Sequence, residues 1–478
     1  MLKRLCARWK LLLTLFLLTP VILWAIAQWL VSRMLQPEAL VARIEASLNC
    51  RAEVTSASAN LWSLPATVQL EGLKLAPRDA DADQAKPLGQ RTPLDPKAPI
   101  FAIQSAKLEM NPWALLRGQL NVRSLVVQVV NLNSETPLSG VNTLNQMMAK
   151  PAIVAGKPNP ALIPDATPGP GTDPAQPANE PKPLNGRRLP VAAIIDSARI
   201  EHVRLDFKNE KRKELIRLED ASWNLKQFAL DPGNLTKSNQ AAFDFDGQFL
   251  LVAKRKTTEK NPETGKFLLE KYEQLNLGLH VDASTALFDP KSGLLAPLPF
   301  NVTIAKDSII EDLPALLKIG KKMGKWEKYG LILPPLPNRV KIGEASTVTM
   351  NYTQPRLLID SDFSLILEGY EIILHRGSWM DYAANTCELN LNFLGSPAIS
   401  QKALSGFTKK LKDKLGDTLG GTLGDKVISL FKKEGLILPD GRLSVPMGLT
   451  GELTEPEVDD RITPILENAV LESLIPGL

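Results

Sequence analysis

The side chains that could carry out chemistry are few and lie far apart in this sequence. The three histidines, His202, His280 and His375, sit in strand-like segments without the grouped acids or cysteines that a metal site needs. Asp360 and Asp362 are two residues apart and so share one face of a predicted strand, but no third acid accompanies them. The sequence therefore predicts no catalytic residue, no metal ligand and no cofactor, and we expect a protein that is not an enzyme.

Glycine and cysteine patterns do not indicate a reactive site either. Residues 416–426, GDTLGGTLGDK, lack the order of a phosphate-binding loop and lie inside a helical apolar stripe, which favours a helix segment built from small residues. The three cysteines, Cys6, Cys50 and Cys387, show no C-x-x-C spacing. Cys50 and Cys387 could pair in an oxidising compartment, but we favour two buried, unpaired thiols.

The composition is that of a globular protein without a strong electrostatic signature. Hydrophobic residues make up 44% and charged residues 23% of the 478 residues. The net charge of +4 is small for this length, so nucleic acid is not an expected partner.

The N-terminus has the pattern of a membrane anchor. Residues 1–10 form a basic flank, and residues 11–31 form a nearly unbroken apolar run that is long enough to cross the ~30 Å hydrocarbon core as a helix. The basic flank predicts a cytoplasmic N-terminus, with the rest of the chain across the membrane. Trp24 and Trp29 then fall near the far interface, where indole rings prefer to lie.

A cleaved signal peptide is the alternative interpretation of this segment. Ala25-Ile26-Ala27 matches the small-residue pattern of a cleavage site. The apolar run is longer than an ordinary signal-peptide core and continues past this site, so we favour a retained anchor. Both interpretations predict export.

The remainder of the chain divides by composition. Residues 36–135 begin with an amphipathic helix at 36–49 and continue as a β region in which Gly72 shifts the alternation, as a β-bulge would. Residues 150–190 hold eleven of the 37 prolines and are predicted to be a linker or loop that separates two units. Two further β regions follow at 191–345, with a helix at 313–329, and at 346–478, with an amphipathic helix at 403–434.

Several segments alternate apolar and polar residues with the period of a strand. This alternation is typical of antiparallel sheet with one apolar and one wet face, so the predicted fold class is mainly β. The clearest apolar faces are those of Val203, Leu205 and Phe207, of Leu275, Leu277 and Leu279, and of Leu389, Leu391 and Phe393.

A dozen or so half-apolar strands need a cover, and the sequence allows more than one. Two packed sheets would hide the apolar faces in sandwich domains, whereas a curved sheet would leave an open apolar groove that acyl chains could fill. The lysine-rich helices at 313–329 and 403–434 could lie on an anionic membrane, but we favour helices that cap the sheet and turn their lysines to solvent. Periodicity alone does not choose between sandwich and groove.

The N-terminal segments resemble a known family. The anchor, the helix after it, SANLWSLPATVQLEGLKLAP (58–77) and IFAIQSAKLEMNPWALLRGQLNVRSLVV (100–127) are similar to the AsmA-like family of bacterial envelope proteins, which includes TamB. The ending LSVPMGLTGELTEPEVD (443–459) resembles the closing strands of that family, with Gly451 and Pro456 in the turn. The residues that match the recurring family phrase are Ala106, Leu108, Leu115, Leu116, Gly118, Leu120, Val122, Leu125 and Val127.

The resemblance implies a single-pass inner-membrane protein whose bulk lies in the periplasm. It implies an extended, curved antiparallel sheet with an open apolar groove, and a role in phospholipid transport or outer-membrane homeostasis. The nine apolar residues at 203–207, 275–279 and 389–393 are then the candidates to line the groove, with phospholipid acyl chains as the ligand and envelope proteins as further partners. The alternative is a non-catalytic envelope scaffold or assembly factor that binds partner proteins.

Overall fold

The chain is mainly β and folds into two compact units. The first comprises Met1–Phe243 and Phe288–Leu295, and the second comprises Asp244–Leu287 and Ala296–Leu478. The structure, a computed structural model, describes residues 24–25, 28–77, 99–115, 117–149, 153–154, 157–158, 184–260, 264–265, 267–334, 336–453, 455–465 and 467.

The first unit is built around long strands. Its helices are α1 (Pro37–Ser47), α2 (Pro112–Leu115) and α3 (Thr143–Met148), with a 3-10 turn at Gly186–Arg188. Its strands are β1 (Cys50–Glu53), β2 (Ser56–Asn60), β3 (Ala66–Pro77), β4 (Phe101–Met110), β5 (Gln119–Thr136), β6 (Ile153–Val154), β7 (Lys157–Pro158), β8 (Ala192–Ile195), β9 (Ala198–Asn209) and β10 (Glu214–Leu230). Strand β11 (Asn239–Lys260) begins in this unit and ends in the second.

The sheet of the first unit is mixed, so the prediction of a purely antiparallel sheet is wrong here. Strands β1 and β2 pair with β3, and β3, β4 and β5 follow one another antiparallel. Strand β5 then pairs in parallel with both β8 and β9. A parallel neighbour requires a connection that returns to the starting end of the strand. Here that connection is the chain between Thr136 and Ala192.

The proline-rich segment at 150–190 therefore does not separate the two units. Strands on either side of it pair residue by residue, from Gln119 with Ala192 to Thr136 with Asn209. The segment belongs to the crossover between neighbouring strands of the first unit, and the boundary between the units falls after Phe243.

The second unit combines antiparallel strands with a layer of helices. Its helices are α4 (Pro314–Lys325), continued by a 3-10 turn at Trp326–Tyr329, α5 (Pro397–Leu415) and α6 (Asp417–Lys433). Its strands are β12 (Phe267–Ala286), β13 (Leu298–Ile304), β14 (Ile309–Glu311), β15 (Arg339–Lys341), β16 (Ser346–Thr353), β17 (Arg356–Ile359), β18 (Phe363–Leu367), β19 (Tyr370–Leu374), β20 (Trp379–Asp381), β21 (Thr386–Gly395), β22 (Ser444–Glu452) and β23 (Glu457–Asp460).

One closed core joins the strands and helices of the second unit. The largest fully buried side chains include Trp326, Phe407 and Phe431 from the helices and Phe393 from β21. The helices thus turn their apolar stripes onto the sheet, as the favoured interpretation of the lysine-rich segments predicted, while lysines such as Lys402 and Lys433 face solvent.

The single helix predicted at 403–434 is a pair of helices. Gly416 has a φ of 82°, which ends α5, and α6 begins at the next residue. An ideal Cβ on Gly420 would lie 2.5 Å from the Cα of Lys412, so glycine allows the two helices to touch backbone to backbone. The glycine-rich stretch is thus a helix-pairing segment, in line with the prediction of small residues in a helix.

The pentapeptide Gly-Leu-Ile-Leu-Pro occurs twice in the sequence and ends a helix each time. At 330–334 and at 435–439 it follows a helix, and its glycine has a positive φ, 99° at Gly330 and 72° at Gly435. The next residue donates its N–H five residues back, Leu331 to Trp326 and Leu436 to Phe431, while each glycine N–H bonds three residues back. This hydrogen-bond pattern is a Schellman motif, and it places Leu331 and Leu436 in the core.

The predicted anchor, residues 11–31, lies mostly outside the described residues. Within the part of the chain that the structure describes, no helix is long and apolar enough to cross a membrane. The transmembrane helix therefore remains a prediction of the sequence, whereas the helix predicted at 36–49 is confirmed as α1.

Candidate functional site

The predicted groove residues are divided between the two units and have different surroundings. Leu391 and Phe393 are buried in the core of the second unit, at 6% and 1% exposure, and Leu275, Leu277 and Leu389 pack against that core. Leu279 on β12 is half-buried and is not part of that core. Side chains under the helix layer do not line an open groove. Val203, Leu205 and Phe207 lie on β9 of the first unit, where Val203 and Leu205 are half-buried and Phe207 is exposed.

The β9 residues continue a face that crosses four strands of the first unit. The registers set Leu73 beside Ile103, Ile103 beside Val130, and Val130 beside Val203. The neighbouring row ends on Leu205, and the row on the other side ends on Ile200. We call this set the apolar face; its half-buried members are Val68, Leu70, Leu73, Phe101, Ile103, Ala106, Leu108, Leu125, Val127, Val130, Leu132, Ile200, Val203 and Leu205.

Helices α1 and α3 pack on one end of this face. Val41 of α1 and Met147 of α3 form a small core with Leu75, against which Phe101 and Leu132 pack. Leu73 of the row through Val130 also packs against that core. The rest of that row and the row through Val127 lie beyond it, and their apolar side chains remain half-exposed. A sheet face of this composition is favourable in water only when something apolar covers it, since burial contributes ~25 cal/mol per Å².

The opposite face of the sheet carries charged side chains, and acidic and basic residues on it form ion pairs with one another. Arg217 contacts Asp206 at 2.7 Å and Glu219 at 3.1 Å, and the hydrogen bond with Asp206 raises the pKa of its guanidinium. Lys208 lies 2.6 Å from Glu135, and this hydrogen bond lowers the pKa of the Glu135 carboxyl. Exposed ion pairs add little stability, but they keep this face wet and leave the apolar face as its counterpart.

Several strands of this sheet contain a residue with a left-handed backbone conformation. These residues keep the apolar and the charged side chains on opposite faces. Gly72 on β3, Val129 on β5, His202 on β9 and Asp220 on β10 have φ angles between 47° and 64°. Gly72 and Val129 flank Gln104 of β4, because the registers on either side of these residues are continuous. Each of these residues interrupts the alternation of apolar and polar positions in its strand. The apolar residues on either side are therefore three positions apart instead of two, as are Leu70 and Leu73, or Val127 and Val130.

The sequence revealed one of these left-handed residues. Glycine at position 72 was visible as a break in the alternation, and its φ of 64° confirms the predicted bulge. Val129 carries no signal of a left-handed conformation, and His202 and Asp220, although enriched in it, are more often found in ordinary strand conformation, so the continuation of the face through β3, β4 and β5 was missed. The signal present in the sequence is the three-residue spacing of apolar residues within each strand.

Three of the titratable residues singled out in the sequence, His280, His375 and Asp362, take part in surface pairs. The ring of His280 lies 2.7 Å from Asp246, and that of His375 lies 3.6 Å from Asp362. The backbone N–H of Arg376 also donates to Asp362 and, with His375, lowers the pKa of its carboxyl. Across the described ranges, no three histidine, cysteine, aspartate or glutamate residues are grouped to hold a metal ion.

The two described cysteines are buried in separate units. Cys50 lies in the small core with Val41, and Cys387 lies on β21, where burial raises the pKa of its thiol. They are not joined in a disulfide, which agrees with the favoured interpretation.

Comparison with known proteins leaves the chain without an assigned relative: no family model, no curated protein and no solved structure matches it.

Proposed function

We propose that this chain is a bacterial envelope protein of the AsmA-like kind that holds phospholipid acyl chains on the apolar face of its first unit. The observation that carries the proposal is that face: half-exposed apolar side chains across β3, β4, β5 and β9, backed by a charged face whose ion pairs satisfy one another. The N-terminal sequence supports an inner-membrane anchor at 11–31, with the bulk of the chain in the periplasm.

The proposed mechanism is passive shielding rather than catalysis. Acyl chains lie along the rows that include Val127, Val130 and Val203, and each methylene removed from water contributes ~0.8 kcal/mol. Headgroups remain in solvent. In this way the protein serves phospholipid transport or the upkeep of the outer membrane, with no cofactor involved.

A site-specific photo-crosslinking experiment tests this proposal. The full chain carries a photoreactive amino acid at Val127 or Val203 on the apolar face, and at Gln128 or Arg204 on the charged face as matched controls. Each control is the sequence neighbour of its test position, so the two differ only in the face they occupy. We expect radiolabelled phospholipid adducts at 127 and 203 and none at 128 and 204.

Equal adducts on both faces, or none on either where an established lipid carrier gives a signal under the same conditions, would overturn the proposal.

A scaffold or assembly factor is the second candidate function, and the closed core of the second unit favours it there. The strand side chains in that core, among them Leu391 and Phe393, are already covered by α4, α5 and α6, so no apolar ligand is needed there. Crosslinking in cells that gives stoichiometric protein adducts from the second unit, with no lipid adducts from the first, would favour this candidate.

A further inference from the structure

The ends of several strands of the first unit meet at one edge. Residues 61–65 connect β2 to β3, residues 111–118 connect β4 to β5, and residue 191 precedes β8. The registers place these connections side by side, since Ala66 pairs with Met110, Met110 with Val122, and Gln119 with Ala192. Three connections that are distant in sequence therefore form one edge.

The tips of these connections carry large apolar side chains that face solvent. Leu64 is 74% exposed, Trp62 54%, Trp113 51% and Leu115 49%, and we call these four residues the rim. Scattered exposed leucines are ordinary, but two tryptophans and two leucines on adjoining turns are an exposed apolar patch.

The last part of the N-terminal apolar run is fastened to the rim. Trp24 stacks on Trp113 with ring centroids 5.0 Å apart and planes 11° from parallel, and it donates its indole N–H to the carbonyl of Leu61. The side-chain amide of Gln28 donates to the carbonyl of Ala59 and accepts from the N–H of Leu61, at 2.7 and 2.6 Å. The side-chain amide of Gln28 thus makes the pair of backbone hydrogen bonds that a residue of a neighbouring strand would make beside the 61–65 turn.

We propose that the rim lies in the interfacial layer of a phospholipid bilayer. Tryptophan prefers this layer because its ring is apolar while its N–H can still bond to water or headgroups. The apolar run at 11–31 has the length of the hydrocarbon core, and the stack of Trp24 on Trp113 sets the rim at the level of residue 24, in the second half of that run. Trp29 lies in the helical stretch 28–34, is 57% exposed and has Arg33 over its ring, so it adds a second exposed indole ring to this part of the chain.

The proposal goes beyond the proposed function and rests on one part of it, the membrane anchor at 11–31. The rim can contact a bilayer whether or not an acyl chain lies on the apolar face. Equally, the apolar face can bind an acyl chain whether or not the rim contacts a bilayer. Photo-crosslinking of lipid at Val127 and the rim measurement below therefore succeed or fail separately.

Depth-dependent fluorescence quenching tests the proposal with the full chain in phospholipid nanodiscs. Cys6 is replaced by serine, and an environment-sensitive fluorophore is attached to Leu64→Cys or Leu115→Cys. Leu138→Cys is the matched control, since Leu138 is a 76% exposed leucine that follows β5 at the end opposite to the rim. The buried Cys50 and Cys387 are checked for labelling in the parent without an added cysteine.

We expect brominated acyl chains to quench the label at 64 and at 115, with bromine near the headgroups quenching more than bromine near the bilayer centre. The label at 138 keeps its intensity with either lipid. All label sites are exposed, and an unchanged circular dichroism spectrum confirms that each variant is folded.

Equal quenching at 64 and 138 would overturn the proposal, as would failure of the full chain to associate with the nanodisc. A label at 64 that is shielded from water without quenching, in a manner that depends on protein concentration, would assign the rim to a second copy of the chain and would likewise refute a bilayer contact.

Discussion

At the residue scale, the most unusual backbone in the first unit belongs to a valine. Val129 has a φ of 53°, a conformation that costs an L-residue ~1–2 kcal/mol and that β-branched residues rarely adopt. It is held there because β4 and β9 on either side also interrupt their alternation at the same level. This strained conformation keeps the side chains of Val127 and Val130 on the same face of the sheet.

Replacing Val129 by asparagine, which tolerates the left-handed region, is therefore expected to raise the free energy of unfolding by ~1 kcal/mol. The matched control, Val127→Asn, places the same amide on the apolar face and should lower stability. Urea denaturation followed by circular dichroism measures both. A destabilised Val129→Asn variant would show that this residue is not strained.

At the element scale, the contact between α5 and α6 depends on one glycine of an adjacent pair. An alanine Cβ at 420 would meet the Lys412 Cα at 2.5 Å and the Leu411 carbonyl oxygen at 2.7 Å, both backbone atoms that cannot move aside. At 421 the nearest atom is the flexible Lys412 Cε at 3.6 Å. Gly420→Ala should therefore destabilise the protein by ~1–3 kcal/mol, whereas Gly421→Ala should stabilise it by up to ~1 kcal/mol through helix propensity. Thermal unfolding distinguishes the two, and equal effects would contradict the backbone contact.

Elements that follow local rules were predictable from the sequence, and those that depend on distant partners were not. The helices at 36–49 and 313–329 were visible because their apolar spacing repeats within one element. The break of α5 at Gly416 was missed because the apolar stripe continues across it. The parallel pairing of β5 with β9 was missed because nothing in either strand specifies which partner lies beside it.

The candidate site was predicted in part, for the same reason. Alternation identified Val203 and Leu205 as an apolar face, and they lie on one. The same alternation identified Leu391 and Phe393, which lie under helices instead. A strand pattern reports that one face will be covered, but it does not report whether the cover is a helix of the same chain or a ligand.

At the scale of the whole molecule, the two units differ in how completely their apolar strand faces are covered. The second unit closes its core with α4, α5 and α6, while in the first unit α1 and α3 pack on one end of the apolar face. A ligand that binds the folded state stabilises it by RT ln(1 + [L]/Kd), and only where it binds. Phospholipid should therefore slow amide hydrogen exchange in peptides from β3, β4, β5 and β9, and leave peptides from β21 and β22 unchanged. Uniform protection of both units, or protection of β21 and β22 alone, would remove the apolar face as the lipid site.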